Sequence, residues 1–244
     1  MAIICRDYNL LFIQAPRTGC TAIARLLMDR FGGEQLPAND IVDAQGFFSV
    51  PKKHCSVRQL LKNCLIPEDY ASNLFTFTSV RNPYDSLASL YVKKRDKYLP
   101  YLADTKSWVY RIPGYVDDMN FCRSHSFDQW LAKHYSVGRV DRLLGRGKRS
   151  LYERYTNGAH RIMRFERLQQ DFDDVMRMVG VEDDVTIPNY NATPQRRRDY
   201  QSYYTEPARR LVEYVFEGDL DRYGYSFEGL DATRAQPQAM EWPQ

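Results

Sequence analysis

The chain has 244 residues, of which 43% are hydrophobic and 27% are charged, a composition typical of a folded globular protein. This composition excludes a collagen-like, coiled-coil or wholly disordered chain, and no apolar stretch approaches the ~20 residues that a membrane span requires. The net charge of +3 is too small to indicate a nucleic-acid-binding protein. Arginine outnumbers lysine by 25 to 9, which fits either an enzyme that handles phosphate or sulfate groups or a GC-rich genome.

The five cysteines lack the spacing of a disulfide framework or of a metal site, and they favour a reducing environment. The first residues do not resemble a secretory signal. We therefore expect a cytoplasmic protein without a membrane span or a bound metal. The chain shows no internal repeat or linker, which predicts a single domain over residues 1–230 and a loose tail over residues 231–244.

Short apolar runs alternate with segments of helical periodicity, which favours an α/β fold with a mainly parallel sheet. Leu10–Ile13 is predicted to form a buried strand that turns into a helix with Ile23 and Leu26 on its apolar face. A second helix is predicted after Ser56, because Gln59 completes a capping box there.

The run Leu74–Val80 is rich in β-branched and aromatic residues and predicts a second strand. Asn82 suits the N-cap of the helix that follows, and Pro83 suits its first position. A third strand is predicted at Arg161–Phe165, before an amphipathic helix that contains Leu168.

Aromatic residues are concentrated and irregularly spaced between positions 97 and 125. We expect this segment to be an insertion over a site rather than a core element. Two helices are predicted after it, one opened by the capping box of Ser126 and Gln129 and one that carries Leu211 and Val215.

Two strand–turn–helix junctions carry the functional signal. The first, Ala15–Thr21, contains Arg17 and Gly19, with hydroxyl groups at Thr18 and Thr21. Such a turn directs backbone N–H groups and the positive end of a helix at an anion, although an ordinary turn with an exposed arginine is the alternative. One glycine and no lysine do not fit the G-x-x-x-x-G-K-[ST] loop of nucleotide-hydrolysing enzymes.

At the second junction, Arg81 follows the strand and Ser89 lies four residues after Asp85 on one face of the predicted helix. The arginine and the serine could converge on one oxyanion beside the helix dipole. Alternatively, Arg81 pairs with Asp85 and Ser89 faces solvent.

Together the two junctions resemble the family of sulfotransferases that use 3′-phosphoadenosine 5′-phosphosulfate (PAPS). The resemblance covers roughly residues 8–228, and Val80–Tyr91 is its most specific segment. Arg164–Leu168, Tyr200–Thr205 and Asp221–Tyr225 are most similar to the branch that contains carbohydrate sulfotransferases and their bacterial relatives.

The resemblance implies a P-loop-like, three-layer α/β fold with a central, mainly parallel sheet flanked by helices. It implies transfer of a sulfuryl group from PAPS to a hydroxyl, less often an amine, of a saccharide or small molecule. The first junction would hold the 5′-phosphosulfate, with Arg17 stabilising the leaving phosphate, and the second would hold the 3′-phosphate. The residues expected to contact PAPS are Arg17, Thr18, Gly19, Cys20, Thr21, Ala22, Arg81, Ser89, Arg196, Arg197 and Arg198.

The chain departs from the family pattern in three places. Arg17 stands where lysine is commoner, and Cys20 and Ala22 replace hydroxyl residues. The late Arg-Lys-Gly clamp of the family is missing, and Arg196–Arg198 offer a substitute basic run. The aromatic segment could cover an acceptor or stack on adenine, or it could simply pack in the core.

His54 is the best candidate for the base that accepts the proton of the hydroxyl group, because related bacterial sequences place a histidine before the corresponding helix. An ordinary imidazole pKa near ~6.5 would suit proton abstraction at neutral pH. A surface histidine beside two lysines is the alternative, and Lys53 or Glu34 would be the next candidates.

Two other functions remain open. A nucleotide-dependent kinase of related fold is disfavoured by the missing lysine and second glycine. A non-catalytic protein that binds nucleotide or RNA through arginine and tyrosine is disfavoured by the small net charge. We expect no nucleic-acid partner, and the variable loops that build an acceptor pocket leave the acceptor itself open.

Overall fold

The computed structural model describes residues 2–183, 185–188 and 199–231. Contacts group these residues into two compact units. The first unit comprises residues 2–81, 152–183 and 185–188, and the second comprises residues 82–151 and 199–231. The single domain over residues 1–230 therefore stays a prediction. Arg196–Arg198 and residues 232–244 of the expected tail lie outside the described residues.

The strands all lie in the first unit. Within the described residues they are β1 (Ala2–Cys5), β2 (Leu10–Ile13), β3 (Glu34–Leu36), β4 (Ile41–Val42), β5 (Phe48–Val50), β6 (Phe75–Val80) and β7 (Arg161–Arg164).

The helices are distributed over both units, and none of those described is both long enough and apolar enough to cross a bilayer. The α-helices are α1 (Cys20–Arg30), α2 (Val57–Lys62), α3 (Glu68–Ala71), α4 (Pro83–Val92), α5 (Tyr115–Ser124), α6 (Phe127–Tyr135), α7 (Arg139–Leu143), α8 (Glu153–Thr156), α9 (Leu168–Met178), α10 (Glu206–Val215) and α11 (Glu217–Tyr223).

The main sheet has five strands in the order β3-β1-β2-β6-β7. β2 pairs in parallel with β6, and β6 pairs in parallel with β7, whereas β1 is antiparallel to both of its neighbours. Four of the five strands therefore point the same way, which confirms the predicted α/β fold with a mainly parallel sheet flanked by helices. The carboxyl ends of β2, β6 and β7 share one edge, where parallel sheets usually carry their ligand sites.

The core of the first unit is built on strands that are buried along their whole length, as strands covered on both faces must be. Phe12 of β2 stacks on Phe77 of β6, with ring centroids 4.8 Å apart. Ile23 of α1 and Phe172 of α9 are fully buried in the same cluster. This burial confirms the apolar faces that were predicted for these two helices. Burying each such side chain stabilises the fold by about 1.5–3 kcal/mol.

The predicted helix starts are confirmed by their caps. The Oγ of Ser56 accepts a hydrogen bond from the backbone N–H of Gln59 at 3.3 Å, and the backbone N–H of Ser56 donates to Oε1 of Gln59 at 3.1 Å. The same box closes at the start of α6. At the start of α4, Asn82 accepts from the N–H of Tyr84 at 3.0 Å, and a proline occupies the first turn.

The segment between positions 97 and 125 differs from its prediction as an insertion. Its last part forms α5, in which Met119 and Cys122 are fully buried. Before it, the aromatic rings pack on one another: Trp108 lies 5.1 Å from Tyr98 and 5.2 Å from Tyr115 between ring centroids. The prediction that this segment is not a core element is therefore wrong for α5, whose apolar residues help to build the second unit.

Candidate active site

The first junction forms a tight turn, residues 14–19, which we call the Arg17 turn. β2 ends at Ile13 and α1 begins at Cys20, so the chain must reverse its course within these six residues. Arg17 and Gly19 both take left-handed backbone conformations, with φ of 71° and 76°. Left-handed residues within a turn are typical of the concave backbone sites that bind anions.

The N-terminus of α1 opens onto this turn. Gly19 is its N-cap, no side chain caps it within the described part of the chain, and its first turn contains no acidic residue. The first N–H groups of a helix have no partner within the helix and carry its partial positive charge. The end of α1 is therefore suited to an anion.

The turn is tied to the neighbouring strand by Thr18. Its buried hydroxyl donates to the carbonyl of Ala15 at 2.9 Å and lies 2.6 Å from the Oγ of Ser79 on β6. That hydrogen is used within the turn, and a contact between Thr18 and an anion stays a prediction. Cys20 is also buried, as part of the core, whereas Thr21 is only partly buried.

Arg81, at the end of β6, contacts the same turn. Its Nη1 donates to the backbone carbonyl of Arg17 at 3.1 Å, and its guanidinium lies 4.1 Å from the ring centroid of Phe165. Only 7% of Arg81 is exposed. The structure therefore brings the arginines of the two predicted junctions together at the carboxyl edge of the sheet. Sequence reasoning missed Phe165 as a member of this site, although its position directly after β7 places it at that edge.

Gly19 is required by both space and conformation. A Cβ added at this position would lie 2.8 Å from Cδ2 of Leu168 and 3.3 Å from two ring carbons of Phe165. Its positive φ is also a conformation that side-chain-bearing residues rarely adopt.

We expect Gly19→Ala to lower the free energy of unfolding by more than the about 1–2 kcal/mol that a left-handed backbone alone costs. Gly46→Ala is the matched control, because Gly46 has a φ of 85° but no atom within 4 Å of an added Cβ. Urea unfolding measures the stability of both variants. The difference between their losses gives the cost of the overlap of the added Cβ with Leu168 and Phe165, apart from the backbone strain. Equal losses in the two variants would contradict the close contact at Gly19.

His54 is held against the start of the Arg17 turn. Its Nδ1 lies 2.9 Å from the carbonyl oxygen of Gln14, so in the neutral ring Nδ1 carries the proton and Nε2 keeps its lone pair. Its backbone is left-handed, with a φ of 64°. His54 is partly buried rather than a free surface side chain beside two lysines.

The environment of His54 lowers the pKa of its imidazole to about 3. Burial is the main cause, and the positive charges of Arg17 and Lys53 add to it, while the bond to Gln14 opposes it. The expectation of an ordinary pKa is therefore wrong. The ring is unprotonated at neutral pH, and its proton affinity depends on the charge at the Arg17 turn.

Gln14 itself carries an unusual side chain. It is fully buried, yet neither its Oε1 nor its Nε2 has a hydrogen-bond partner among the described residues. Leaving a buried polar group unsatisfied costs about 1–3 kcal/mol, and such groups are commonly satisfied by water or a ligand. An unsatisfied amide at the first position of a turn that is suited to an anion fits a polar ligand there. No local sequence signal marks Gln14 for this role.

The remaining predicted site residues belong to the second unit, lie outside the described residues or are alternative bases. Ser89 is buried on α4 of the second unit, and its part in holding the same ligand as Arg81 stays a prediction. Arg196–Arg198 lie outside the described residues. Of the alternative bases, Glu34 forms an ion pair with Arg6 at 3.1 Å, and Lys53 is exposed.

The cysteines and the other possible metal ligands are scattered. All five cysteines are free thiols, and four of them are buried. No group of three or more His, Cys, Asp or Glu side chains is arranged to hold a metal ion in the part of the chain that the structure describes. The metal-free site stays a prediction.

Comparison with known proteins points to one family. The model of the sulfotransferase family matches residues 1–226, a range that includes both junctions and His54. No curated protein and no solved structure matches the chain significantly.

Proposed function

The chain belongs to the sulfotransferase family and is thus an enzyme of sulfuryl transfer. From this premise, we propose that its donor is PAPS and that its acceptor is a hydroxyl, less often an amine, of a saccharide or small molecule. The observation that carries this proposal is the Arg17 turn, with Arg81 bound to it and an uncapped helix end beside it. We also propose a cytoplasmic location, which five free cysteines support.

The residues of the first unit fit such a donor. Arg17 and the N-terminal amides of α1 would hold the 5′-phosphosulfate, and Arg81 would hold the 3′-phosphate. Ser89 stays a predicted phosphate ligand. The unsatisfied amide of Gln14 can both donate and accept a hydrogen bond, as a polar ligand needs. When bound, PAPS supplies a sulfuryl group that is already attached to a phosphate leaving group.

His54 would act as the base. Its Nε2 is free to take the proton of the acceptor hydroxyl, because Nδ1 is engaged with the carbonyl of Gln14. The same bond would stabilise the imidazolium that forms. A general base of this kind contributes about 10²- to 10⁴-fold to a rate. An anion at the Arg17 turn would offset the positive charge of Arg17 and so raise the pKa of His54 toward the range of a useful base.

Arg17 would stabilise the negative charge that grows on the leaving phosphate. Its guanidinium stays charged at every physiological pH and can donate two parallel hydrogen bonds to neighbouring oxygens. This electrostatic contribution requires a positive charge that is in place before the reaction begins. The hydrogen bond from Arg81 to the carbonyl of Arg17 fixes the backbone that carries this charge.

The proposal is tested by thermal unfolding of the full chain with 3′-phosphoadenosine 5′-phosphate (PAP), with Mg-ATP and with a single-stranded oligonucleotide. PAP at about 100 times its Kd is expected to add about 2.7 kcal/mol of stability, which raises the Tm by several degrees. Stabilisation by Mg-ATP alone would indicate a kinase, and stabilisation by the oligonucleotide alone would indicate a non-catalytic nucleic-acid binder. Either result would overturn the proposal.

A further inference from the structure

A continuous stretch of the second unit, residues 138–150, is exposed at every position; we call it the basic segment. It contains three large apolar side chains, Val140, Leu143 and Leu144, which are 69%, 87% and 58% exposed. These are half of the six large apolar residues that are exposed among the described residues. Such a concentration on a short stretch marks an interaction surface more often than isolated exposed residues do.

The exposure does not result from a frayed chain, because the backbone of the basic segment is anchored. The hydroxyl of Tyr214 on α10 donates to the carbonyls of Arg142 and Arg146, at 3.3 and 2.7 Å. The N–H of Arg149 donates to the carbonyl of Val215 at 2.7 Å. The fold therefore holds the segment in place while its apolar side chains face outward.

The same segment is strongly basic. It contains five cationic residues and one acidic residue, a net charge of +4, which exceeds the +3 of the whole chain. Some of this charge is used locally: Lys148 pairs with Glu217, and Arg149 donates to the carbonyl of His134 at 3.0 Å. The ion pair between Arg146 and Asp141 is long, at 4.0 Å, and the Arg146 side chain is 69% exposed. The segment therefore presents positive charge around its exposed aliphatic residues.

We propose that the basic segment docks on the surface of an anionic phospholipid bilayer. Val140, Leu143 and Leu144 would enter the interfacial region, and the surrounding cations would face the lipid phosphates, as in peripheral proteins that combine aliphatic and basic residues. A second copy of the chain would bring two segments of the same charge together, which disfavours self-association. A nucleic acid would neutralise the charge but leave the leucines exposed.

This inference does not rest on the proposed PAPS chemistry, because every residue in it lies in the second unit and outside the Arg17 turn. It adds a location for the enzyme, at the membrane surface, rather than a step in the reaction. The two can therefore fail separately.

Co-sedimentation of the full chain with vesicles tests it. Vesicles of phosphatidylcholine and phosphatidylglycerol are expected to bind the protein, and vesicles of phosphatidylcholine alone are not. Added salt should weaken the binding, because it screens exposed charges. Leu143→Ser with Leu144→Ser should weaken it by about tenfold or more. Arg139→Gln with Arg146→Gln should do the same, since each cation near an anionic surface contributes about fivefold.

Matched controls lie on the first unit. Met178→Ser removes an exposed apolar residue, and Arg30→Gln with Arg58→Gln removes two exposed cations, all outside the basic segment. Both should bind as the unmodified chain does. Unchanged circular dichroism and Tm would show that each variant is folded, as expected for exposed positions.

Three outcomes would overturn the proposal. The first is an absence of binding to the anionic vesicles. The second is loss of vesicle binding in the arginine variant but not in the leucine variant, which would show attraction by charge alone, without entry of the leucines into the bilayer. The third is self-association of the chain without vesicles that the leucine variant abolishes, which would indicate a second copy.

Discussion

Replacing His54 by asparagine is expected to lower kcat by about 10²- to 10⁴-fold and to leave the affinity for PAP unchanged. Asparagine cannot accept the proton, but it tolerates the left-handed backbone that His54 adopts, so the turn is not strained further. Turnover is measured by PAP release with an accepted hydroxyl substrate, and affinity by calorimetry. The two readouts separate a base from a residue that merely holds the site together.

The control for this variant is Lys53→Ala, which removes the exposed neighbour and next candidate base. It should leave kcat close to that of the unmodified enzyme. A large loss of kcat in Lys53→Ala, or an equal loss of PAP binding and turnover in His54→Asn, would remove His54 from the role of base.

The acid side of the pH profile provides a second readout for His54. Because the pKa of the His54 imidazole is about 3 before PAP binds, kcat/KM should not fall around pH 6.5 through protonation of this ring. The same shift affects stability: between pH 6.5 and about 3 the unfolded chain binds a proton that the folded chain does not. The contribution of the neutral ring to stability is therefore lost as the pH falls through this window, and His54→Asn should flatten the dependence. Nuclear magnetic resonance of the imidazole should show its pKa rising when PAP is added.

Arg81→Ala is expected to weaken PAP binding by about 10- to 100-fold. The variant removes a charge-assisted hydrogen bond to the 3′-phosphate, and it also removes the donor to the carbonyl of Arg17, which loosens the turn. Arg81→Lys should give an intermediate loss, because a lysine keeps the charge but lacks the planar fork that can serve two acceptors at once. Calorimetric titration with PAP checks both values.

The comparison ligand for Arg81 is adenosine 5′-phosphosulfate, which lacks the 3′-phosphate. If Arg81 holds the 3′-phosphate, Arg81→Ala should lose far more affinity for PAP than for this ligand. Equal losses for the two would assign Arg81 a purely structural role in supporting the turn. Arg30→Gln, at the far end of α1, is the control for a general change of charge and should bind PAP normally.

Local signals were sufficient for much of the fold. β6 and the starts of α2 and α6 were predicted from β-branched runs and capping residues, whose effects depend on near neighbours. β1 and β3 were missed: Ala2–Cys5 is as long and as buried as β2 but lacks the turn and helix signal that follows β2, and Glu34–Leu36 is mostly polar and partly exposed. α5 was missed because it buries the carboxylate of Asp118 beside apolar residues, a pattern that periodicity does not recognise.

The site was predicted only in part for a related reason. Arg17 and Arg81 follow parallel strands, whose carboxyl ends meet at one sheet edge, so their proximity could be inferred. The contacts of Ser79 with Thr18 and of Phe165 with Arg81 could not be inferred, because they depend on how the strands pair in the sheet. The low pKa of His54 likewise depends on burial that a linear sequence does not display.

Two hydrogen bonds, with Ser79 of β6 and with Arg81 directly after it, hold the Arg17 turn and affect how it binds a ligand. The hydroxyl of Thr18 is bonded to Ser79, and Arg81 donates to the backbone carbonyl of Arg17, so bonds within the protein hold the shape of the turn. A segment that must order itself on binding forfeits about 1–2 kcal/mol of backbone entropy per residue. Because this turn is preorganised, an arriving anion incurs little of that entropic cost, and more of the interaction energy is available as affinity.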